Sequence, residues 1–185
     1  SAPHSGYQRL ALGGVTVIAD TGKPPPIAAS RQAHAGCLSF EMSSGRHRYV
    51  VNSGVNQYGP DEFRVLSRAT AAHSTATLND TSSCRFSLSN TMTKILGTAL
   101  IKGPQKVAVE RQDGDGWQGF TARHDGYVPT FQTLHERSLV LSSGGSVLDG
   151  TDRFTLTKGR PSRSGSTDNV VIRFHLHPNV RPIIN

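Results

Sequence analysis

The chain has 185 residues, of which 35% are hydrophobic and 18% are charged. This length suits one domain, and no apolar run approaches the ~20 residues that a membrane-spanning helix needs. The formal net charge of +7 favours a polyanion such as nucleic acid, an anionic membrane surface or an acidic polysaccharide. We do not expect nucleic acid to be the partner, because aromatic residues are few and no base-stacking motif is present.

Alternating apolar and polar residues predict short strands in the first half of the chain. Three prolines at 24–26 force an extended segment after the first run. Further on, Ser43–Gly45 can turn the chain, so that the runs on either side pair as a hairpin. The predicted strands are Val15–Ala19, Leu38–Met42 (with Leu38, Phe40 and Met42 on one face), Arg48–Asn52 and Ser74–Leu78.

The second half of the chain also predicts short strands separated by turns. Asp113–Gly116 is a strong turn signal, and Lys158–Ser166 is predicted as a loop. Helical turns are expected only near Asp61–Arg68 and Thr91–Leu96. The predicted strands are Lys106–Glu110, Trp117–Arg123, His135–Leu141 and Val170–His177.

Strands about every ten residues with turns between them predict one all-β domain over residues 1–185. The expected architecture is an antiparallel β-sandwich of two packed sheets. Because the chain starts at Ser1 and not at a methionine, we expect it to be a fragment of a larger protein.

Eight histidines carry most of the chemical interest, because imidazole can serve as metal ligand, acid or base near neutral pH. His34 and His73 each precede a predicted strand, a common place for site residues. The alternative for both is a hydrogen bond to backbone at the strand end. His124 is followed by Asp125 and Gly126, which mark a turn, and a nearby carboxylate could orient its ring.

Two further pairs leave alternatives open. His175 and His177 would share a strand face and could reach one metal ion, although a polar outward stripe explains them as well. His135 and Arg137 are predicted to share a face that excludes Glu136.

Two cysteines do not make a disulfide framework, and free thiols are favoured over a single bridge. The two residues are Cys37, at a strand start, and Cys84, after a turn.

Several segments, taken in order over residues 15–180, resemble the C-terminal region of the heparinase II/III family. Each segment alone is a weak signal, but the ordered set is fairly specific. The segments are Ala33–Glu41, Val50–Gly54, Arg68–Thr75, His124–Tyr127, His135–Arg137 and Phe174–Pro178.

This resemblance implies a lyase of two parts, in which a helical toroid outside this chain precedes the β-sheets. A tyrosine and a histidine of the toroid would remove the proton α to a uronic acid carboxylate and cleave the chain by β-elimination. The β module would form a wall of the cleft, and the isolated fragment would be inactive. Acidic polysaccharide is the implied substrate, and we favour the periplasm or cell envelope over the cytoplasm.

The resemblance also implies site residues. By position His34 and His73 match zinc ligands, with Asn52 near the position of an acidic third ligand. Gln32 replaces a histidine that zinc-binding members carry, and an amide such as Asn52 is a poor zinc ligand. Zinc binding is therefore one of two interpretations. In the other, His34 and His73 hold the loops together or contact the sugar chain.

The remaining assignments follow the same resemblance. The cations expected to bind substrate carboxylates are Arg31 and Arg68, beside His34 and His73. The candidate catalytic histidines within the chain are His73 and His124. Two other hypotheses stand beside the lyase module: a non-catalytic carbohydrate-binding or structural β-sandwich, and a small metalloprotein built on His175 and His177.

Overall fold

A computed structural model describes residues 5–55, 59–87, 89–157 and 167–183 of the chain. Short helices connect the strands: α1 (Asp61–Leu66), α2 (Asn90–Leu96), α3 (Val128–Phe131) and 3₁₀ turns at Ile27–Ala29, Thr70–Ala72 and Ser143–Gly145. The strands are β1 (Tyr7–Leu12), β2 (Val15–Asp20), β3 (Phe40–Ser44), β4 (His47–Val51), β5 (Ala76–Leu78), β6 (Arg85–Phe86), β7 (Leu100–Lys102), β8 (Val107–Gly114), β9 (Trp117–His124), β10 (Thr133–Ser142), β11 (Val147–Leu156), β12 (Val170–Ile172) and β13 (His175–Leu176).

Two antiparallel sheets pack face to face and confirm the predicted β-sandwich. One has five strands in the order β1-β2-β3-β4-β13, and the other has four in the order β11-β10-β9-β8. In β10, buried and partly buried residues alternate along all ten positions, as expected for a strand with one face on a core. The core between the sheets contains Leu10, Val17, Ala19, Cys37, Leu38, Phe40, Val50, Phe120, Ala122, Leu139 and Leu141.

A second, smaller core lies beneath the segment between β2 and β3. It is formed by Ala35, Cys84, Phe86 and Leu100. Phe86 and Leu100 belong to β6 and β7, which form a two-stranded sheet, and β5 and β12 form another. This side of the sandwich carries the loops that hold His34 and His73.

A glycine turn joins the two large sheets at one edge. Gly13 has a φ of +56°, and a Cβ built on it would lie 1.5 Å from the carbonyl oxygen of Gly144. A side chain at position 13 would therefore collide with the turn between β10 and β11. The close approach of these two turns requires glycine.

Most predicted strands are confirmed, with three corrections. The hairpin strand begins at Phe40, because Leu38 adopts a left-handed φ of 62° that breaks the expected alternation. The predicted run Val170–His177 is divided into β12, which pairs with β5, and β13, which pairs with β4. Strands β1, β6, β7 and β11 and helix α3 were missed.

The two predicted helical turns correspond to α1 and α2. The predicted loop at Lys158–Ser166 lies outside the described residues. Within the described ranges, every helix is too short or too polar to span a membrane.

Candidate functional site

Two histidines from different loops face each other beside the small core. His34 Nδ1 lies 2.8 Å from His73 Nε2, and His73 Nδ1 lies 2.8 Å from the carbonyl oxygen of Ala69. A carbonyl only accepts, so the proton of a neutral His73 is on Nδ1 and its Nε2 accepts a hydrogen bond from His34 Nδ1. The lone pair on His34 Nε2 has no hydrogen-bond donor among the described residues.

Burial keeps this pair uncharged. It lowers the pKa of His73 to about 4, although the bond to Ala69 acts in the opposite direction. It also lowers the pKa of His34, and the positive charge of Arg68 adds to that effect. Both imidazoles are therefore neutral near pH 7, as the hydrogen-bond chain requires.

The pair opens onto a groove that we call the histidine groove, defined by His34, His73, Asp20, Glu41 and Asn52. Its cavity volume is about 360 Å³. Tyr7, of which 51% is exposed, stands at its side. The groove thus combines neutral imidazoles, carboxylates and an amide with one aromatic ring.

Asp20 is a groove residue that sequence reasoning missed. It ends β2 and is partly buried, and its Oδ1 accepts a 3.0 Å hydrogen bond from the backbone N–H of Gly22. Burial outweighs that bond and raises the pKa of Asp20 to about 6. Its negative charge in turn raises the pKa of Tyr7. No pattern in the sequence indicates that this carboxyl is buried.

The oxygen and the nitrogen of the Asn52 amide each make a hydrogen bond inside the protein. Its Oδ1 accepts a 2.8 Å bond from the N–H of Ser74, and its Nδ2 donates to Glu41 Oε1 at 3.2 Å. The amide thereby ties the end of β4 to β3 and to the loop after His73.

These donors do not fit the zinc site that the resemblance implies. His34 and His73 supply two nitrogens, whereas the oxygen of Asn52 is neutral and bonded to Ser74. In the part of the chain that the structure describes, no three His, Cys, Asp or Glu side chains are arranged to hold a metal ion. Structural zinc takes four strong ligands, and the groove offers two.

The two predicted substrate-binding arginines lie apart from the groove lining. Arg68 is 3% exposed, and its guanidinium donates to Ala33 O at 2.8 Å, to Ser30 O at 3.1 Å and to Thr98 Oγ1 at 2.8 Å. It also lies over the ring of Phe86. These bonds favour a bracing role for Arg68 in the loop before β3.

Arg31, by contrast, is exposed. Its side chain lies against Gly97, where an added Cβ would meet the Arg31 Nε at 2.8 Å. Its guanidinium is accessible to an anion, but it does not line the histidine groove, and its role in binding substrate stays a prediction.

His124 belongs to a buried network in the four-stranded sheet. Its Nδ1 accepts from the N–H of Gly126 at 3.0 Å, and its Nε2 donates to His135 Nδ1 at 3.1 Å. His135 Nε2 donates in turn to Asp152 Oδ1 at 2.7 Å. Since His124 is 1% exposed and both its ring nitrogens are engaged, this geometry favours a structural role.

Arg137 completes the network. It lies on the same face of β10 as His135, as predicted. It binds both carboxylate oxygens of Asp152, at 2.9 and 2.7 Å. Its Nη1 donates to Leu38 O at 3.0 Å and to Ser74 O at 2.9 Å. Although burial raises the pKa of Asp152, the bonds from His135 and Arg137 bring it below the usual value. Sequence reasoning missed Asp152 because β11 was not predicted.

The His175 and His177 rings make separate contacts. His175 Nε2 donates to Ala71 O at 3.0 Å, whereas His177 Nδ1 accepts from the N–H of Asn179 at 3.3 Å. These contacts favour the non-metal interpretation of the pair.

Both cysteines are buried free thiols. Burial raises the pKa of Cys37, and it raises the pKa of Cys84 to about 11. Thiols with raised pKa values carry little thiolate, so neither is a strong nucleophile at neutral pH.

Comparison with known proteins places the whole chain in one sequence family. The family model described as "Heparinase II/III-like, C-terminal" matches residues 1–183. FtsZ-localized protein C of Caulobacter vibrioides is 33% identical over 189 residues, a match that covers 100% of this chain and 32% of that protein. The chain thus spans about a third of that relative's length.

Two solved structures share the fold. A heparinase III superposes with a TM-score of 0.56 at 18% identity, covering 81% of this chain and 20% of its own. A mutant of the heparan sulfate lyase HepC from Pedobacter heparinus superposes with a TM-score of 0.50 at 17% identity, covering 78% of this chain and 21% of its own.

Proposed function

The chain belongs to the heparinase II/III-like C-terminal family, and we propose that it is the saccharide-holding β module of a polysaccharide lyase. The proposed substrate is a uronic-acid-containing polysaccharide, cleaved by β-elimination. The residues that transfer the proton would lie on a helical domain outside this chain. The observation that carries the proposal is the neutral His34–His73 pair, which lines a groove and in which His34 Nε2 has no hydrogen-bond partner among the described residues.

The groove has the chemistry to hold sugar hydroxyls. The free Nε2 of His34 and the exposed carboxylate of Glu41 both accept hydrogen bonds, and hydroxyl groups donate them. The exposed ring of Tyr7 offers an apolar surface for the face of a sugar. Because Glu41 is anionic, this groove suits the hydroxyl-bearing part of an acidic chain better than its carboxylates.

In this proposal His73 is a positioning residue. It is 4% exposed, and it fixes the His34 ring through the 2.8 Å bond between them. The catalytic roles of His73 and His124 stay predictions, and the contacts of both rings favour support over proton transfer.

The test is an elimination assay with the full-length protein on a panel of uronic acid polymers, followed by the ultraviolet absorbance of the unsaturated product. We expect His34→Ala to raise KM at least tenfold, because sugar contacts are lost. Glu110→Gln, a change at an exposed position of β8 away from the groove, should leave KM unchanged. His73→Gln should raise KM with a smaller change in kcat. No elimination on the whole panel would overturn the proposal.

A second candidate function is a non-catalytic module in a protein that localises with FtsZ. The observation favouring it is the 33% identity over the whole chain to FtsZ-localized protein C, against 17–18% for the lyases. A fluorescent fusion of the full-length protein that co-localises with FtsZ, together with no elimination activity, would favour this candidate. Diffuse fluorescence with activity would exclude it.

A further inference from the structure

A second concave site lies at the opposite end of the β3–β4 hairpin from the histidine groove. Beyond β13 the chain folds back over the hairpin, where the N–H of His177 donates to Tyr49 O at 2.9 Å. The N–H of Val180 then closes a turn on His177 O at 2.8 Å. The cavity between hairpin and C-terminal segment has a volume of about 370 Å³. We call it the basic pocket, defined by Arg46, His47, Arg48, Tyr49, His177 and Asn179.

The basic pocket is cationic without internal compensation. Two arginines and two histidines line it, and no carboxylate of the described residues does. Among the described residues, neither Arg46 nor Arg48 has a carboxylate partner within ion-pair distance. The histidine groove differs, because it contains Asp20 and Glu41.

The neutral groups of the basic pocket narrow the ligand class. Arginine presents a fork of N–H donors that matches a carboxylate or sulfate in two-point bonds. Asn179 and the hydroxyl of Tyr49 can add hydrogen bonds to uncharged hydroxyls. Tyr49 is the only aromatic residue in this lining and is 37% exposed, whereas single-stranded nucleic acid is held on successive aromatic platforms. A small concavity also suits a saccharide unit better than a flat membrane surface.

We propose that the basic pocket binds the carboxylate or sulfate of an acidic saccharide, with Arg46 and Arg48 as the anion-binding residues. This inference rests on the proposed function and deepens it, since it assigns anion recognition to a place outside the histidine groove. Along β4, Arg48 and Asn52 are four residues apart, a span of ~13 Å at the rise of a β-strand. An acidic oligosaccharide of a few units can therefore place hydroxyls in the groove and an anionic group in the pocket.

The experiment is calorimetric titration of the protein with three oligosaccharides of similar length: heparin-derived (sulfated), hyaluronan-derived (carboxylated only) and maltose-derived (neutral). We expect both acidic probes to bind and the neutral one to bind at least tenfold more weakly. The double variant Arg46→Gln/Arg48→Gln should lose at least tenfold in affinity for the acidic probes, and its binding should depend less on salt.

A matched control separates the pocket from net charge. The double variant Arg85→Gln/Arg123→Gln also removes two positive charges, but at exposed positions away from the pocket. We expect it to change the affinity for the acidic probes less than twofold. Thermal unfolding of all variants shows whether they fold, and Tyr49→Phe supplies a milder change with an expected loss of two- to fivefold.

Three results would overturn the inference. The first is that both double variants bind the acidic probes with equal affinity. The second is that the parent protein binds acidic and neutral probes equally well. The third is that DNA or anionic phospholipid vesicles bind more tightly than acidic saccharide and that this binding depends on Arg46 and Arg48. The proposed function fails separately. If elimination is absent while Arg46 and Arg48 still govern binding, the lyase proposal falls and the pocket stands. If elimination is present while the double variant binds normally, the pocket falls alone.

Discussion

At the scale of single residues, Asp20 is a groove residue whose burial lowers the stability of the folded protein. The carboxyl ends β2 beside the histidine groove, and one backbone N–H is its hydrogen-bond donor. Burial raises its pKa from 3.8 to about 6. Between these two pH values the folded protein holds a proton on Asp20 that the unfolded chain has released. A group that costs stability in this way and still lines a groove is a strong functional candidate.

The Asp20→Asn variant should therefore be more stable than the parent at neutral pH. Below pH 3.8 the carboxyl is protonated in both states, and the penalty grows as the pH rises to 6 and is complete above it. We expect a gain of about 2 kcal/mol at pH 7 and little gain at pH 4, since an amide oxygen can still accept from Gly22. Urea unfolding at both values measures this. An equal effect at the two pH values would contradict it.

His73 makes the opposite contribution to pH dependence. Its folded pKa of about 4 lies below the unfolded value of 6.5, so its neutral form stabilises the fold above pH 6.5. That stability is lost as the pH falls from 6.5 to 4, by up to about 3 kcal/mol. His34 and His175 face it with like charge when protonated, while Arg68 acts on His34.

A His73→Gln variant should accordingly lose part of the acid sensitivity. We expect it to be less stable than the parent at pH 7, with a difference that shrinks by at least 1 kcal/mol at pH 5. Urea unfolding at the two pH values gives the comparison. A difference that stays constant would show that His73 does not titrate with unfolding.

At the scale of elements, one buried network joins β9, β10 and β11 to the loops of the other sheet. His124, His135 and Asp152 run across three neighbouring strands, and Arg137 reaches from Asp152 to the carbonyls of Leu38 and Ser74. Ser74 follows His73 directly, so this network fixes the backbone beside the groove. The network therefore supports the histidine groove from the four-stranded sheet, although none of its four side chains lines the groove.

Removing the charge of Asp152 should be costly. In Asp152→Asn the guanidinium of Arg137, 2% exposed, loses its counterion and remains buried. We expect a loss of about 3–5 kcal/mol in the free energy of unfolding, the usual cost of an uncompensated buried charge. Asp149→Asn, on an exposed position of the same strand, should change stability by less than about 0.5 kcal/mol. Equal effects of the two changes would exclude the network as a stabilising element.

Strand alternation allowed most of the sandwich to be predicted, but it could not reveal this network. In β11 most side chains are exposed, and polar residues fill both faces, so Asp149–Arg153 has no period-two signal. The His34–His73 contact spans 39 residues, and only the resemblance brought the two together. Likewise, the basic pocket depends on the C-terminal segment returning to Tyr49, a long-range pairing that local pattern does not encode.

At the scale of the whole molecule, positive and negative sites are separated along one hairpin. The open end of the β3–β4 hairpin carries Glu41, beside Asp20, while its turn carries Arg46 and Arg48. The net charge of +7 is thus not uniform over the sandwich surface. A polyanion attracted by the overall charge would meet its best anion site at the turn.

Metal dependence is a property of the whole fold, because a ligand that binds only the native state raises its stability. With two imidazoles and a committed amide at the groove, we expect the melting temperature of the parent to be unchanged by chelator or added zinc. The Asn52→Asp variant should differ. Its new carboxylate would lie about as close to Glu41 as the present 3.2 Å amide contact, which should lower stability without metal.

Zinc should then rescue Asn52→Asp, because a carboxylate beside two neutral imidazoles gives three donors of the kinds that bind zinc in proteins. We expect a zinc-dependent rise in melting temperature, with about 3 kcal/mol at a hundredfold excess over Kd. The matched control is Asn52→Asp combined with His34→Ala, which removes one donor and should abolish the rise. Stoichiometric zinc in the purified parent, with a melting temperature that falls on chelation, would show that the native donors suffice.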